Sequence, residues 1–305
     1  MKQIDVTTVK MGSDAEVFLK DKTGRPFPAC GLIGGTKEKP LMLSKDGCAV
    51  QEDNVMLEFN TPVSNNSRDW CKNLEKAMTL AFAKIPPTLY PVIEAVQRFD
   101  PALLDCQQAQ QFGCEPDFNA WTMEQNPRPH LEDATMRSAA AHVHLSWEGP
   151  DDMMQRCRVI QFADIFVTLP SLGESGDTER RKLYGKAGAF RPKLYGVEHR
   201  VMDNYWLEKM FHQRIWSRYI DALTAANTPF EITPKLAEKV QEIINNYKIK
   251  EALSLYHEMC KSLLPKKEKA DSALKKELNR MSYILGGTSY TVDGAPINRT
   301  IQNNF

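Results

Sequence analysis

The chain has 305 residues and a mass of 34.7 kDa, enough to bury a substantial core as one large domain or two smaller ones. Lys plus Arg and Asp plus Glu number 39 each, so no net field draws the protein to nucleic acid or to an acidic membrane, and the expected partner is a small molecule. Seven cysteines, at 30, 48, 71, 106, 114, 157 and 260, are odd in number and form no Cys-x-x-Cys pair, which argues against a disulfide framework and a thiolate zinc site. Met1 to Asp5 lack the apolar core of a secretory signal, and no run approaches the ~18 apolar residues of a membrane span, so the expectation is a soluble protein of a reducing cytoplasm.

Residues 8 to 60 are rich in strand and turn signals. Gly12 to Leu19 alternates, with Asp14 and Glu16 on one face and Ala15, Val17 and Leu19 on the other. Asp21-Lys22-Thr23-Gly24 predicts a hairpin turn. Gly31-Leu32-Ile33-Gly34-Gly35-Thr36-Lys37 is a glycine-rich loop but not a P-loop, because Thr36 stands where that motif needs a glycine directly before the lysine. A turn or substrate-covering loop is favoured there over a direct phosphate cradle. Val55 to Asn60 again alternates, with Glu58 and Asn60 opposite Leu57 and Phe59.

From Ser67 to Ile85 the positions Trp70, Leu74, Ala77, Met78, Ala81, Phe82 and Ile85 follow helical spacing, and Pro86-Pro87 stops the helix. Residues 88 to 135 are less regular, broken by Pro101, Pro116, Pro127 and Pro129; within them, 113 to 119 concentrates polar groups near aromatics, as a structural loop or a substrate contact. Ala141 to Leu145 places His142 and His144 on one strand face. Asp151 to Thr168 reads as a helix closed by Pro170, and Ser171 to Glu179 as a mobile surface loop. Arg180 to Arg191 then holds five cations in twelve residues, a solvated face or, from its position, a polyphosphate clamp.

Tyr195 to Asn204 reads as a strand in which Glu198 and Arg200 share a face, and Asn204 as an N-cap for helix marked by Leu207, Phe211, Ile215 and Tyr219. Thr233-Pro234 opens another helix through Ile244, and 250 to 264 forms a third. Pro265 to Lys276 is highly charged, and Gly286-Gly287 precedes a polar tail. The expected organisation is a catalytic domain over 1 to 230 with a helical extension over 231 to 305 packed on it.

Four remote segments thus share one pattern, with carboxylate, imidazole or guanidinium on one side and aliphatic bulk on the other. The alternation predicts strands whose apolar side is covered by helices and whose polar sides line a common groove. Asp14, Glu16, Glu58 and Glu198, with Asp53 in reserve, are hard oxygen donors suited to Mg²⁺ or Mn²⁺. Beside Arg181, Arg191 and Arg200 they suit a nucleotide, whose phosphates metals neutralise and guanidinium groups hold. Kinases, ligases and some hydrolases all meet this description.

Leu57-Glu58-Phe59-Asn60-Thr61-Pro62-Val63 and Val197-Glu198-His199-Arg200-Val201-Met202-Asp203 resemble strands of the glutamate-cysteine ligases, as does Ala140 to His144. The ordered set Gly-Ser-Asp-x-Glu-Val-Phe, Gly-Leu-Ile-Gly-Gly-Thr-Lys, Gly-Cys-x-Pro-Asp and Tyr-Gly-Val-Glu-x-Arg, from about Gly12 to Trp206, is more closely similar to the phage-type carboxylate-amine ligases (amidoligases, type 2) of the glutamine-synthetase-like superfamily. The resemblance implies an α+β fold, a curved, mainly antiparallel sheet with a polar concave face and helices on the other face. It implies Glu16, Glu58, His142 and Glu198 as metal ligands and Arg200 beside the transferring phosphoryl group. It also places Arg181, Tyr184, Lys186 and Arg191 near nucleotide, and Arg191 and Asp14 in supporting catalytic roles. Asp14 departs from the glutamate usual in the glutamate-cysteine ligases, and its shorter reach suits a place behind the ligands; His144 binds substrate or supports its neighbour.

The implied reaction is ATP- and Mg²⁺-dependent joining of a small-molecule or peptide carboxylate to an amine through an acyl phosphate, in a cytoplasm that would be the host's for a phage protein. The rivals are a metal-dependent hydrolase built on His142-x-His144 and the acids, and a non-catalytic phage interaction protein.

Overall fold

The computed structural model describes residues 3–110, 117–127 and 132–264. Most of the 113 to 119 segment and everything beyond Leu264, including the charged run and the polar tail, lie outside the described residues. Strands β1 (Asp5–Asp21), β2 (Pro26–Phe27), β3 (Leu41–Met42), β4 (Ala49–Asp53) and β5 (Met56–Asn60) precede helix α1 (Ser67–Phe82). Strands β6 (Leu89–Val92) and β7 (Val96–Arg98), helix α2 (Gln107–Gln110), β8 (Phe118–Asn119), β9 (Met136–Ser138) and β10 (Ala141–Glu148) follow. Then come α3 (Met153–Ala163), α4 (Leu169–Ser175), α5 (Arg180–Leu183), β11 (Ala189–Lys193), β12 (Gly196–His199), α6 (His212–Ala226), α7 (Pro234–Asn245) and α8 (Ile249–Leu263).

The main sheet runs β3-β4-β5-β1-β10-β12-β11-β8 with antiparallel neighbours throughout. β1 is its spine. It pairs with β5 on one side and β10 on the other, then past Phe18 exchanges both for β2 and β6. Its alternation explains this central place: Val9, Met11, Ala15, Val17 and Leu19 are all buried on one face, as a strand covered by helices requires. The turn Asp21 to Gly24 closes the β1–β2 hairpin, with the Gly24 amide donating to Asp21 O at φ +84°.

The apolar face packs on α1, α3 and α6, and the core extends unbroken through α4 to Val240, Ile243 and Ile244 of α7 and Leu255 and Met259 of α8. α1 follows its sequence pattern, with Asn66 accepting from the Asp69 amide at 2.9 Å as N-cap and Trp70, Leu74, Ala77, Met78 and Ala81 buried. Trp70 stacks on Trp206 at 5.7 Å, tying α1 to the segment after β12. Thr233 caps α7 with Pro234 in its first turn, as the sequence predicts. A second, smaller core of Phe18, Val55, Met56, Val92, Phe99 and Leu104 lies toward the far end of β1. Among the described residues no helix is long and apolar enough to cross a membrane.

Four expectations are corrected. Pro170 does not close the helix begun at Met153, because Asp164–Thr168 winds as a π-turn in which the Leu169 amide reaches Asp164 O. The shift of register leaves Pro170 in the first turn of α4, where its missing N–H costs nothing. Ser171 to Ser175 is therefore buried helix rather than surface loop, with Gly176 at φ +70° ending it. Asn204 stands at the N-cap position of a short 3₁₀ turn, Tyr205–Leu207, but its side chain accepts no capping bond; its amide instead donates to Glu16 O at 2.9 Å and Glu94 O at 3.1 Å, pinning the chain after β12 against β1. The strand expected over 195 to 204 spans only Gly196–His199, although the Arg200 amide still donates to Ala189 O.

Candidate active site

Antiparallel register fixes which polar residues meet. Gln51, Glu58 and Glu16 form one row across β4, β5 and β1. Asn60, Asp14 and His142 form the next, and His144, Glu198 and Arg191 a third across β10, β12 and β11. Residues drawn from positions 14 to 200 thus share one face.

Glu16 and Glu58 are cross-strand partners, both buried, and the effect on their carboxyls is large. Burial, then the Asp53 carboxylate, pushes Glu16 up to about 8. Burial, followed by Asp14, Glu16 and Asp53, holds Glu58 well above the usual carboxylate range. Glu16 keeps one anchor, accepting from the Ala140 amide at 2.7 Å. Glu58 Oε2 is buried with no hydrogen-bond partner among the described residues. Mutually repelling buried acids with an orphaned oxygen match what a hard divalent cation would relieve.

The adjoining cluster carries the opposite balance. Asp14 Oδ1 lies 3.2 Å from His142 Nδ1 and 3.2 Å from His144 Nε2. Burial opposes its charge, yet the two imidazoles outweigh burial and hold Asp14 well below its ordinary range. Glu198, 1% exposed, is opposed by burial and then held down to about 2 by Arg200 and His142. Its cationic neighbours are the closely placed Arg200, Lys193 at 2.7 Å and Arg191 at 3.6 Å. Burial and then Arg200 lower His142 to about 4, so its imidazole is neutral at pH 7. Arg200 Nη1 also approaches His142 Nδ1 at 3.2 Å, so this nitrogen either accepts from Arg200 or donates to Asp14, as the tautomer dictates. Ligand atoms of Asp14, His144 and Glu198 all lie within 4.8 Å of one another, a mixed nitrogen and oxygen set able to grip one metal ion.

Beside these rows opens a cavity of about 780 Å³. Its lining includes Glu16, His142 and Arg200 from the polar face, Lys37, Glu52 and Asp53 from the glycine-rich loop and β4, and Arg137, Arg180 and Tyr184. Its volume falls in the range of ligand sites.

The structure sorts the residues named from sequence. Glu16, Glu58, His142 and Glu198 lie on one face but in two groups, Glu16 with Glu58 and His142 with Glu198, Asp14 standing between them beside His142. Arg200 and Arg191 both reach Glu198. Tyr184 lines the cavity, whereas Arg181 and Lys186 are not among its lining residues. The buried Arg181 donates to Gly185 O at 2.9 Å, and Lys186 is half-buried. The cation run thus does not act as a unit: within it only Arg180 and Arg191 approach the groove, and Arg180 spends its donors on Val201 O and Arg200 O. Gly185 permits this approach, since at φ +69° a Cβ would sit 2.6 Å from Val201 O.

Sequence reasoning passed over Arg137 and Lys193, and it named Arg180, Tyr195 and Asp117 only within longer segments, with no role of their own. Lys193 was within reach of it, because it follows Arg191 by two on one strand and so shares its face. Tyr195, whose hydroxyl makes a close contact with His144 Nδ1, and Asp117, 3.4 Å from Arg200 Nε, lie inside segments quoted for the resemblance, but nothing local to either gives its partner.

No family model matches the sequence, and neither does any curated protein. Among solved structures, the chain is similar to a bifunctional glutathione synthetase from Pasteurella multocida, with a TM-score of 0.52 at 10% identity over 91% of this chain and 48% of that one. A glutamine synthase homolog aligns with a TM-score of 0.34 at 12% identity, covering 86% of this chain and 67% of that chain. At such identity the first likeness is one of fold, and this chain spans about half the length of that enzyme.

Proposed function

We propose that the protein is an ATP-dependent carbon–nitrogen ligase that joins a carboxylic acid to an amine through an acyl phosphate. The observation that carries this reading is the single polar face on which β1, β5, β10 and β12 bring together Asp14, Glu16, Glu58, His142 and Glu198, with Arg200 and Arg191 at their edge. The likeness of fold to a glutathione synthetase is consistent with it.

A carboxylate is a poor electrophile with a poor leaving group, so amide formation requires activation. In the proposed first step an oxygen of the acid attacks the γ-phosphorus of ATP and ADP departs. In the second the amine attacks the acyl carbonyl, phosphate leaves with the electron pair, and the amine loses a proton. Arg200, the guanidinium that faces both the cavity and Glu198, would hold the oxygens that gain charge in both steps. Asp14 is held ionised and so serves better as an anchor than as a base. Asp53, whose carboxyl burial raises although Lys37 opposes the shift, is the better acceptor for the proton of the amine. Glu16 and Glu58, with Asp14, His142 and Glu198 beyond them, would hold Mg²⁺ or Mn²⁺, which when bound supplies neutralisation of the phosphate oxygens.

The test is release of ADP in the presence of a panel of acids, with hydroxylamine trapping the activated acyl group as a hydroxamate. Glu198→Gln and Arg200→Ala should each lower turnover by about 100-fold or more with the fold retained. ADP release without any trappable acyl product overturns the proposal. A second reading draws on the Asp14, His144 and Glu198 grouping, whose mixed donors also suit Zn²⁺ and a hydrolase. Tightly held zinc with ATP-independent cleavage would favour it.

A further inference from the structure

The Gly31 to Lys37 loop looks like a place for a phosphate, but its amides already have an anion. The carboxylate of Glu52 accepts from the amides of Gly31, Ile33 and Gly34, each at 2.8 Å. An internal acid thus fills the nest that a phosphate would fill in a glycine-rich phosphate loop. Gly35 is held as firmly, at φ +81° with no room for a Cβ, which would lie 2.7 Å from Val50 O and 2.8 Å from Leu41 N. Thr36 and Lys39 exchange backbone hydrogen bonds at 3.1 Å. The loop is pinned on both sides of Lys37, whose side chain lines the cavity.

Its cationic neighbours there are committed. Arg137 donates to Asn54 Oδ1 and to the carbonyls of Ala134, Met136 and Ala109. Arg180 donates to Val201 O and Arg200 O, and Arg200 lies against Glu198. Lys37 makes no hydrogen bond or ion pair among the described residues.

We infer that Lys37 binds a phosphate of the nucleotide, with the Glu52-filled loop as the rigid arm that presents it. The inference rests on the ligase reading and adds to it a residue that meets the phosphate chain. A phosphate chain fits better than a lone carboxylate. The same cavity is lined by the acids Glu16 and Asp53, the latter near enough for the Lys37 charge to act on its carboxyl, and an anion accompanied by divalent cations satisfies charges of both signs at once. Lysine is a point-charge phosphate binder, suited to an oxygen whose direction the fold does not prescribe.

The experiment is calorimetric titration of the full chain with MgADP and, separately, with magnesium tripolyphosphate, comparing wild type with Lys37→Met and Lys37→Arg. Lys37→Met should weaken both probes about tenfold or more, with Lys37→Arg recovering part of the loss and thermal stability unchanged, since the side chain makes no hydrogen bond or ion pair with the described residues. Binding of either probe by Lys37→Met within twofold of wild type overturns the inference, as does failure of wild type to bind them. The hydroxamate assay separates the two claims. Lys37-dependent binding without a trappable acyl product sinks the ligase reading alone, and normal hydroxamate formation with Lys37-independent binding sinks only the assignment of Lys37.

Discussion

The paired acids Glu16 and Glu58 make stability depend on pH in a direction opposite to that of most carboxylates. In the unfolded chain Glu16 titrates near 4.5, and in the folded protein near 8. A group whose folded pKa is raised contributes stability that is complete below the unfolded value and is lost as pH rises toward the folded one. Between pH 6.5 and 8 the loss for Glu16 alone starts at about 1.4 kcal/mol per pH unit and slackens to about half that slope, or roughly 1.6 kcal/mol in all. Glu58, raised in the same sense, adds to it. Of the lowered groups, Asp14 and Glu198 are ionised in both states throughout this window, whereas His142, lowered to about 4 and half protonated in the unfolded chain at pH 6.5, opposes the trend by only about 0.4 kcal/mol. His144, raised despite its burial by Asp14, acts in the same direction as Glu16.

Metal reverses the trend, since a divalent cation binds the deprotonated acids and expels their protons. Urea denaturation of EDTA-treated protein should show stability falling by about 2 kcal/mol or more from pH 6.5 to 8, a drop of roughly 4 °C or more in melting temperature. Addition of Mg²⁺ should flatten the profile, stabilising more at pH 8 than at 6.5. A metal-free profile that is level or rises across this interval refutes the reasoning, because the two carboxyls would then not be raised by burial and mutual repulsion.

Asp164→Asn should cost about 2 to 4 kcal/mol in chemical denaturation, because Asp164 is fully buried and accepts from Trp121 Nε1, the Gly188 amide and Thr168 Oγ1, donors that an amide NH₂ cannot all satisfy. An unchanged midpoint refutes this account of the π-turn. Glu174→Gln should cost about 3 to 5 kcal/mol, since it leaves Arg218, bonded at 2.6 and 3.0 Å, buried beside a neutral partner. A loss below about 1 kcal/mol would show that water reaches the pair. Gly185→Ala should lower stability by about 1 kcal/mol or more and move Arg180 from the cavity wall, read as weakened MgADP binding, and retention of both properties refutes the packing described.

Much of the fold was legible because it follows from period and punctuation. Ala15, Val17 and Leu19 alternate against Asp14 and Glu16, and Thr233-Pro234 starts a helix for reasons contained in those two residues. Where the reading failed, the deciding bond came from afar. Pro170 ends an isolated helix, but the π-turn before it is braced by Asp164 reaching Trp121 and Gly188, which no local pattern reveals. Asn204 has cap chemistry, and the same amide serves instead to join Glu16 O to Glu94 O. Depth is equally hidden: Arg180 and Arg181 look like part of a solvated cation run, yet carbonyls of the chain compensate their burial at 3% exposure each.

The candidate site shows the same limit more sharply. Alternation tells which face a residue occupies but not which row, since sliding a strand by two residues keeps every side chain on its face while moving it roughly 7 Å along the sheet. Asp14, Glu16, His142, His144 and Glu198 were therefore assignable to one face from sequence, whereas the division between them was not. The register sets Glu16 against Glu58 and His144 against Glu198, and brings Asp14 within 3.2 Å of both imidazoles. That division separates a row of repelling acids from a cluster in which imidazoles and guanidinium groups already balance the charge. Cation binding should accordingly be felt first at Glu16 and Glu58, where charge is uncompensated, and should require Arg200 to release Glu198 before the second group can take part.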